Sequence, residues 1–300
     1  MPTRTVALDG PLDLALTLGP LYRGPGDRTI RLTRGRAWLA TRTPAGDATI
    51  AIAHEGGVLH CEAWGPGAEH LLDHAHELVG IGAERPSLDG PYPLVTDLVR
   101  RFPGVRLTRT GAVMASLLPA ILEQKVTGGE ARRAWFGLIR AHGVDAPGPP
   151  EYRLRLPPPD AALATLPYYA YHPFGVERRR AELIRRVSGR AAWFEAIVDL
   201  PLEVASARLT ALPGLGPWTA AEVAVRALGD PDAVSVGDFH LKNLVSWALA
   251  GEPRGTDERM LELLAPYAGR RALVVRLLEL SGLRLPRYGP RLSPRRIESI

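Results

Sequence analysis

Two short stretches carry the residue types best suited to chemistry. One is LPGLGPWTA, Leu212 to Ala220; the other is VGDFHLKN, in which Asp238 stands twenty residues after Trp218. An ionised carboxylate can stabilise positive charge developing in a transition state and can orient a water molecule. An aspartate ahead of an apolar helical run is equally a preferred N-cap, and residue type alone does not separate the two roles. Gly214 and Gly216 permit a tight turn and leave backbone N–H groups uncovered. Pro217 suits the first position of a following helix, whose positive dipole end and bare N–H groups would face the same anion.

The helix ahead of this bend is LEVASARLTAL, so the unit spanning about residues 203–229 reads as a helix-hairpin-helix. Such a module holds the nucleic-acid backbone without reading bases. Ordinary glycine C-caps between helices look the same, and non-catalytic DNA-binding proteins use the hairpin too. The rest of the chain must position the two stretches. Period-two alternation over Thr29–Thr33, Arg36–Thr43, Ala48–His54 and Val58–Trp64, with a short strand at Thr5–Leu8, predicts an antiparallel sheet. The face Leu71, Leu72, Ala75, Leu78 and Val79 predicts one helix over Ala68–Val79, packed on that sheet. Past the turn-rich SLDGPYP the pattern becomes helical: Leu94–Arg101, Ala112–Val126 and Gly129–Ala141. Asp145–Asp160, with PGPP and PPP, reads as a connector too proline-rich for helix or central strand. An aromatic cluster, Tyr168, Tyr169 and Tyr171, precedes a helix whose Val176, Ala181, Ile184 and Val187 face inward. Its arginines, Arg178, Arg179, Arg180, Arg185 and Arg186, read as a solvated basic face. Leu261–Leu264 and Ala272–Leu280 are closing helices. Residues 284–300 form a basic tail carrying Arg284, Arg287, Arg291, Arg295 and Arg296, able to add non-specific affinity for DNA.

Composition narrows the partners. The sequence has 300 residues, a net charge of +5 and a pI near 9.6, which favours an anionic partner. Arginine supplies nearly all the positive charge, since Lys125 and Lys242 are the only lysines. The single cysteine, Cys61, excludes an internal disulfide and a four-cysteine iron–sulfur cluster. The start shows no signal peptide and no apolar run is long enough to cross a bilayer, so the expected location is cytoplasmic. His54, His60, His70, His74 and His76 crowd the first part; His70 and His74 have a spacing that zinc accepts, but solvated or sheet-capping roles explain them better.

The hairpin LPGLGPWTA followed by Asp238 resembles the helix-hairpin-helix base-excision DNA glycosylases. In that pattern the residue at Trp218 is lysine in bifunctional glycosylase/lyases, so the resemblance points to the monofunctional branch of 3-methyladenine DNA glycosylase II. It implies a mostly α fold with an N-terminal α+β domain. An antiparallel sheet plus helix, a TBP-like layer, would occupy residues 1–88, followed by a two-lobed helical core over 89–283 and the tail at 284–300. It also implies that LEQKVT and GEARRAW flank a loop pressed into the minor groove. The family's leucine wedge is replaced here by Lys125, with Gln124 as its neighbour.

The activity this implies is hydrolysis of the N-glycosidic bond of alkylated purines such as 3-methyladenine in double-stranded DNA, by a monomer without lyase activity. The damaged base would be flipped out. Asp238 would stabilise the cationic sugar, and Trp218 and Phe239 would form an aromatic pocket for a cationic base. Gly214, Gly216, Thr219, Gln124 and Lys125 would contact DNA. No cofactor is required, but the resemblance implies a sodium or potassium ion on the main-chain carbonyls of Thr210, Leu212 and Leu215. Lys242, one helical turn after Asp238, is expected to be its surface i,i+4 partner. Two other readings stay open: a glycosylase for deaminated or oxidised bases, and a non-catalytic DNA-damage binding protein.

Overall fold

Alternating burial builds the first layer. A computed structural model describes residues 1–82 and 87–285. The strands β1 (Thr3–Ala7), β2 (Ile30–Thr33), β3 (Arg36–Thr43), β4 (Gly46–Glu55) and β5 (Val58–Trp64) form an antiparallel sheet in the order β1-β5-β4-β3-β2. Leu59, Cys61 and Ala63 of β5 are buried while His60 and Glu62 between them are exposed, as a sheet with one covered face requires. The register places Ile52 opposite Cys61 and Ala37, so the inward residues stack across three strands. That face is covered by α1 (Leu14–Leu18), α2 (Ala68–Asp73) and α3 (Ala75–Leu78), which share one apolar core with it. Burial pushes the Cys61 thiol up to about 11, which leaves it a packing residue rather than a reactive one.

The expected single helix over Ala68–Val79 is two helices broken at His74 (φ −102, ψ 9). A ring nitrogen of His74 lies 2.8 Å from the His70 carbonyl oxygen, so a side chain competes there with the helical ladder. The two rings stack 4.3 Å apart, and no group of metal-ligating side chains occurs among the described residues.

The remainder is helical. In chain order it contains α4 (Pro93–Arg101), α5 (Val113–Glu123), α6 (Gly128–His142), α7 (Asp160–Thr165), α8 (Arg178–Ser188), α9 (Ala191–Glu195), α10 (Leu202–Thr210), α11 (Pro217–Val223), α12 (Leu241–Ala250), α13 (Asp257–Leu264) and α14 (Arg271–Leu280). Two apolar cores hold it. One joins α5, α6, α8, α10 and α11 around Leu117, Ile121, Ile184, Leu209 and Val223. The other joins α4, α12, α13 and α14 around Val95, Val245, Leu263 and Val274. The N-terminus of α5, which has no cap from its own sequence, is capped from α9: both Glu195 oxygens accept backbone N–H groups, of Val113 at 2.8 Å and Met114 at 2.9 Å.

The proline-rich stretch is more than a connector. Within it β6 (Val144–Asp145) pairs with β7 (Arg155–Leu156), and Tyr152 between them packs against Trp38 and Trp64 of the sheet. A segment read as belonging to the helical part therefore fastens that part to the first layer. No helix among the described residues is long and apolar enough to cross a membrane. The basic tail from residue 286 onward, with Arg287, Arg291, Arg295 and Arg296, lies outside the described residues.

Candidate active site

The bend at Leu212–Gly216 joins α10 to α11. Leu212 and Leu215 are buried and anchor it in the core, and the Leu215 N–H donates to the Leu212 carbonyl at 3.0 Å. Gly214 needs its type: φ is +105, and a Cβ there would stand 3.1 Å from Leu183. Gly216 is different. Its backbone is ordinary extended chain (φ −98, ψ 179), and no atom lies within 4 Å of where a Cβ would be. Nothing inside the protein requires that glycine, and the missing side chain leaves the start of α11 bare. No side chain caps that end, so the Trp218 and Thr219 N–H groups of its first turn have no side-chain acceptor.

Asp238 lies beside this end. The Trp218 indole Nε1–H donates to its Oδ2 at 3.0 Å. Its Oδ1 accepts the backbone N–H groups of His240 at 2.7 Å and Leu241 at 2.8 Å, ahead of α12. One oxygen thus serves the backbone at the start of α12 while the other holds the indole. Oδ1 is filled by its two backbone donors, whereas Oδ2 retains a lone pair. The carboxylate lines a cavity of about 350 Å³, at the small end of ligand pockets, which run from about 300 to 1,000 Å³.

That cavity is not the aromatic pocket the resemblance implied. Trp218 is engaged with Asp238 and does not line it, and Phe239 is 71% exposed, edge-on to His240. The polar groups in the wall are ones the sequence reading missed. Glu222 Oε1 accepts the Ser235 hydroxyl at 2.6 Å, and its Oε2 pairs with Arg226 Nη1 at 2.5 Å. Burial alone would lower the Arg226 pKa, but the neighbouring Glu222 and Glu123 carboxylates hold it above the ordinary arginine value. Arg226 sits in a π turn, residues 224–228, that continues α11; such turns are frequent at functional sites. The available signal was a charged i,i+4 pair inside the otherwise apolar run AAEVAVRAL.

A second loop stands against the hairpin. Helix α5 ends at Glu123 rather than Val126, because Gln124 turns extended and Lys125 takes a positive φ of 53. Four contacts fix this loop. Glu123 pairs with Arg23 at 2.6 Å, and Thr127 caps α6 in a capping box with Glu130. The Leu122 carbonyl accepts Arg180 Nη1 at 2.6 Å. Gln124 Nε2 donates to the Gly214 carbonyl and to Thr219 Oγ1, each at 3.0 Å. Two expectations change accordingly. Gln124 and Thr219 do not present side chains to a ligand: Thr219 is 2% exposed, and both amide protons of Gln124 are used inside the protein. Lys125 is exposed at the apex.

Arg180 is likewise buried, 2% exposed, not part of a solvated face. Besides Leu122 it holds the Gly175 carbonyl and Glu177, whose carboxyl is pushed upward by burial but held below the usual carboxylate range by Arg180. Lys242 pairs with Asp257 at 3.6 Å rather than with Asp238. The carbonyls of Pro213 and Gly214 already accept Arg186 and Gln124. The Leu212 carbonyl keeps one lone pair beyond its bond from Leu215, so the oxygens of Thr210, Leu212 and Leu215 fit a hard monovalent cation by donor chemistry.

A sheet layer, a two-core helical part and a bare hairpin beside a fixed carboxylate together make a fold shared with solved DNA glycosylases. The sequence is homologous to AlkA: it is 30% identical over 154 residues, 51% of this chain, to the probable bifunctional transcriptional activator/DNA repair enzyme AlkA of Mycobacterium tuberculosis. The chain spans 31% of that protein's length. The solved 3-methyladenine DNA glycosylase of Archaeoglobus fulgidus superposes with a TM-score of 0.74 at 20% identity, over 92% of this chain and 97% of the other. The apo 8-oxoguanine glycosylase/lyase of Clostridium acetobutylicum gives 0.59 at 14% identity, over 84% of this chain and 98% of the other. At those identities the two structures establish the fold alone. No family model matches the chain.

Proposed function

We propose that the protein is a monofunctional DNA glycosylase that hydrolyses the N-glycosidic bond of alkylated purines in double-stranded DNA. The observation that carries this reading is the hydrogen bond from Trp218, in the first turn after the hairpin, to Asp238 at the cavity. A strand gripped at the bare start of α11 brings its flipped nucleotide to that carboxylate. Three donors hold the carboxylate still, so no reorganisation is needed as positive charge builds on the sugar. The lone pair left on Oδ2 can orient the attacking water.

A lyase step needs an amine at the sugar. The hairpin position carries Trp218 and Lys242 is ion-paired to Asp257, so water is the nucleophile. Lys125, exposed on a braced loop, fills the space the nucleotide leaves. A sodium or potassium ion on the carbonyls of Thr210, Leu212 and Leu215 supplies, when bound, positive charge beside the phosphate. The protein acts as a monomer on cytoplasmic DNA.

Incubation with methylated duplex, followed by measurement of free bases and abasic sites, tests the reading. Wild type releases methylated purines and leaves unbroken abasic sites, whereas Asp238→Asn loses at least about a hundredfold in rate. Absence of release by the wild type, or unchanged release by the variant, rejects it.

A further inference from the structure

The cavity beside Asp238 offers carboxylate acceptors, and the one ring among its described lining residues is the His240 imidazole. Its apolar wall is made of Leu107, Val225, Leu241, Leu244, Ala272 and Val275, and no described residue lining it is Phe, Tyr or Trp. Glu222 lines the same cavity with its side chain only 16% exposed. The Ser235 hydroxyl occupies one of its oxygens and Arg226 the other. A carboxylate has about four lone-pair positions, so roughly two stay open. Ser235 also ties Glu222 to the catalytic loop, because its carbonyl accepts the Asp238 N–H at 3.1 Å.

The arginines in the wall spend most of their donors on other partners. Arg276 donates to Glu279 and to the Leu16 carbonyl, and Arg226 Nε to the Pro20 carbonyl. Arg106 holds the carbonyls of Gly10, Pro11 and Gly80. Each arginine has a backbone oxygen as a fixed partner, and the Arg276 Nε–H and the His240 ring are among the donors that remain in the wall. Open acceptor positions remain around the cavity on Glu222, Ser235 and Asp238.

We propose that Glu222, fixed by Ser235 and Arg226, is the residue that reads the flipped base, selecting damaged purines that present N–H donors over damaged bases whose edge has none. This deepens the glycosylase reading and rests on it. A site built to accept N–H groups rejects an analogue lacking them far more strongly than an apolar pocket rejects a change of size, because the buried acceptor is left unpaired. Alkylated aminopurines meet the requirement: the exocyclic amine of adenine, or N1–H with the amine of guanine, stays available when the alkyl group is on another nitrogen. An etheno bridge across the adenine amine removes it.

Single-turnover release from duplexes each carrying one lesion tests the assignment, with 7-methylguanine presenting several donors, hypoxanthine one and 1,N6-ethenoadenine none. In wild type the rates fall in that order. Glu222→Gln is expected to slow 7-methylguanine release about tenfold or more while leaving ethenoadenine release within about twofold. Hypoxanthine serves as the reference if ethenoadenine release is below detection. Ser235→Ala keeps the Glu222–Arg226 pair and should shift the ratio the same way, about threefold; it decides the matter if Glu222→Gln fails to fold. An unchanged lesion ratio in the folded variants overturns the assignment and leaves the glycosylase reading standing. No release of any lesion by wild type overturns that reading and the assignment with it.

Discussion

The hairpin at 212–216 and the loop at 124–126 face the same side of the molecule and are built in opposite ways. The hairpin presents backbone: two glycines, an uncapped helix start and buried leucines beneath. The loop presents a side chain, Lys125, on a backbone twisted to positive φ and braced by Arg23, Arg180 and Gln124. A bare backbone can follow any phosphate whatever the sequence, which suits a clamp. A side chain on a braced turn can enter a single gap. Gln124, bonded to the Gly214 carbonyl and to Thr219, fixes the distance between the two loops, so under the proposed function they form one jaw.

The largest effects should come from separating fold from contact within the hairpin. Gly214→Ala must hold a positive φ and displace Leu183, so it is expected to lower stability by about 2 kcal/mol. Gly216→Ala meets nothing in the protein and should change stability by less than about 0.5 kcal/mol. Yet its methyl group would stand where a phosphate approaches, and duplex binding should weaken about tenfold. Thermal melting and fluorescence-anisotropy titration of both variants check this. Equal binding by Gly216→Ala and wild type would mean the clamp lies elsewhere.

Next in size is the strut between the loops. Gln124→Ala removes two hydrogen bonds, worth about 1.5 kcal/mol together, and leaves the buried Thr219 hydroxyl without its donor. Because the strut joins loop to hairpin, amide exchange should rise in both 122–126 and 212–216 while α14 is unaffected. Faster exchange in one loop alone would show that the two are not coupled.

What the sequence made legible follows from the range of the interactions. Strands β2 to β5 announce themselves by alternation, and the Gly214 turn by residue type, because both signals are local. The relation of Asp238 to Trp218 was reached through a family pattern, since a twenty-residue spacing says nothing about distance by itself. The strut was out of reach: Gln124 and Gly214 are 90 positions apart, and only the packing of α5 on α11 brings them together. Arg180 was legible in principle. It shares a helical face with Ile184 and Val187, which face the core, but five neighbouring arginines read together as one solvated surface. The aromatic pocket failed for a different reason. Residue types were carried over from a family whose cavity is lined by rings, whereas here Ala272 and Glu222 line it.

The smallest expected change is also the sharpest division between the two loops. Lys125 has a left-handed backbone, costing about 1 kcal/mol or more for a residue with a Cβ, against the greater chain entropy that glycine loses on folding. Lys125→Gly should therefore leave the protein as stable as wild type or better by about 0.5 kcal/mol, whereas Gly214→Ala in the hairpin is destabilising. Base release from duplex should nonetheless slow about tenfold, because nothing then fills the gap as the nucleotide leaves. Release from single-stranded DNA, which has no stack to keep apart, should be unchanged. Lys125→Leu separates filling from charge: a filler restores the duplex rate, while a cation held for a phosphate is not replaced by an apolar side chain. If Lys125→Gly is stabilised and fully active on duplex, the second loop braces the hairpin and nothing more, and the jaw has a single working edge.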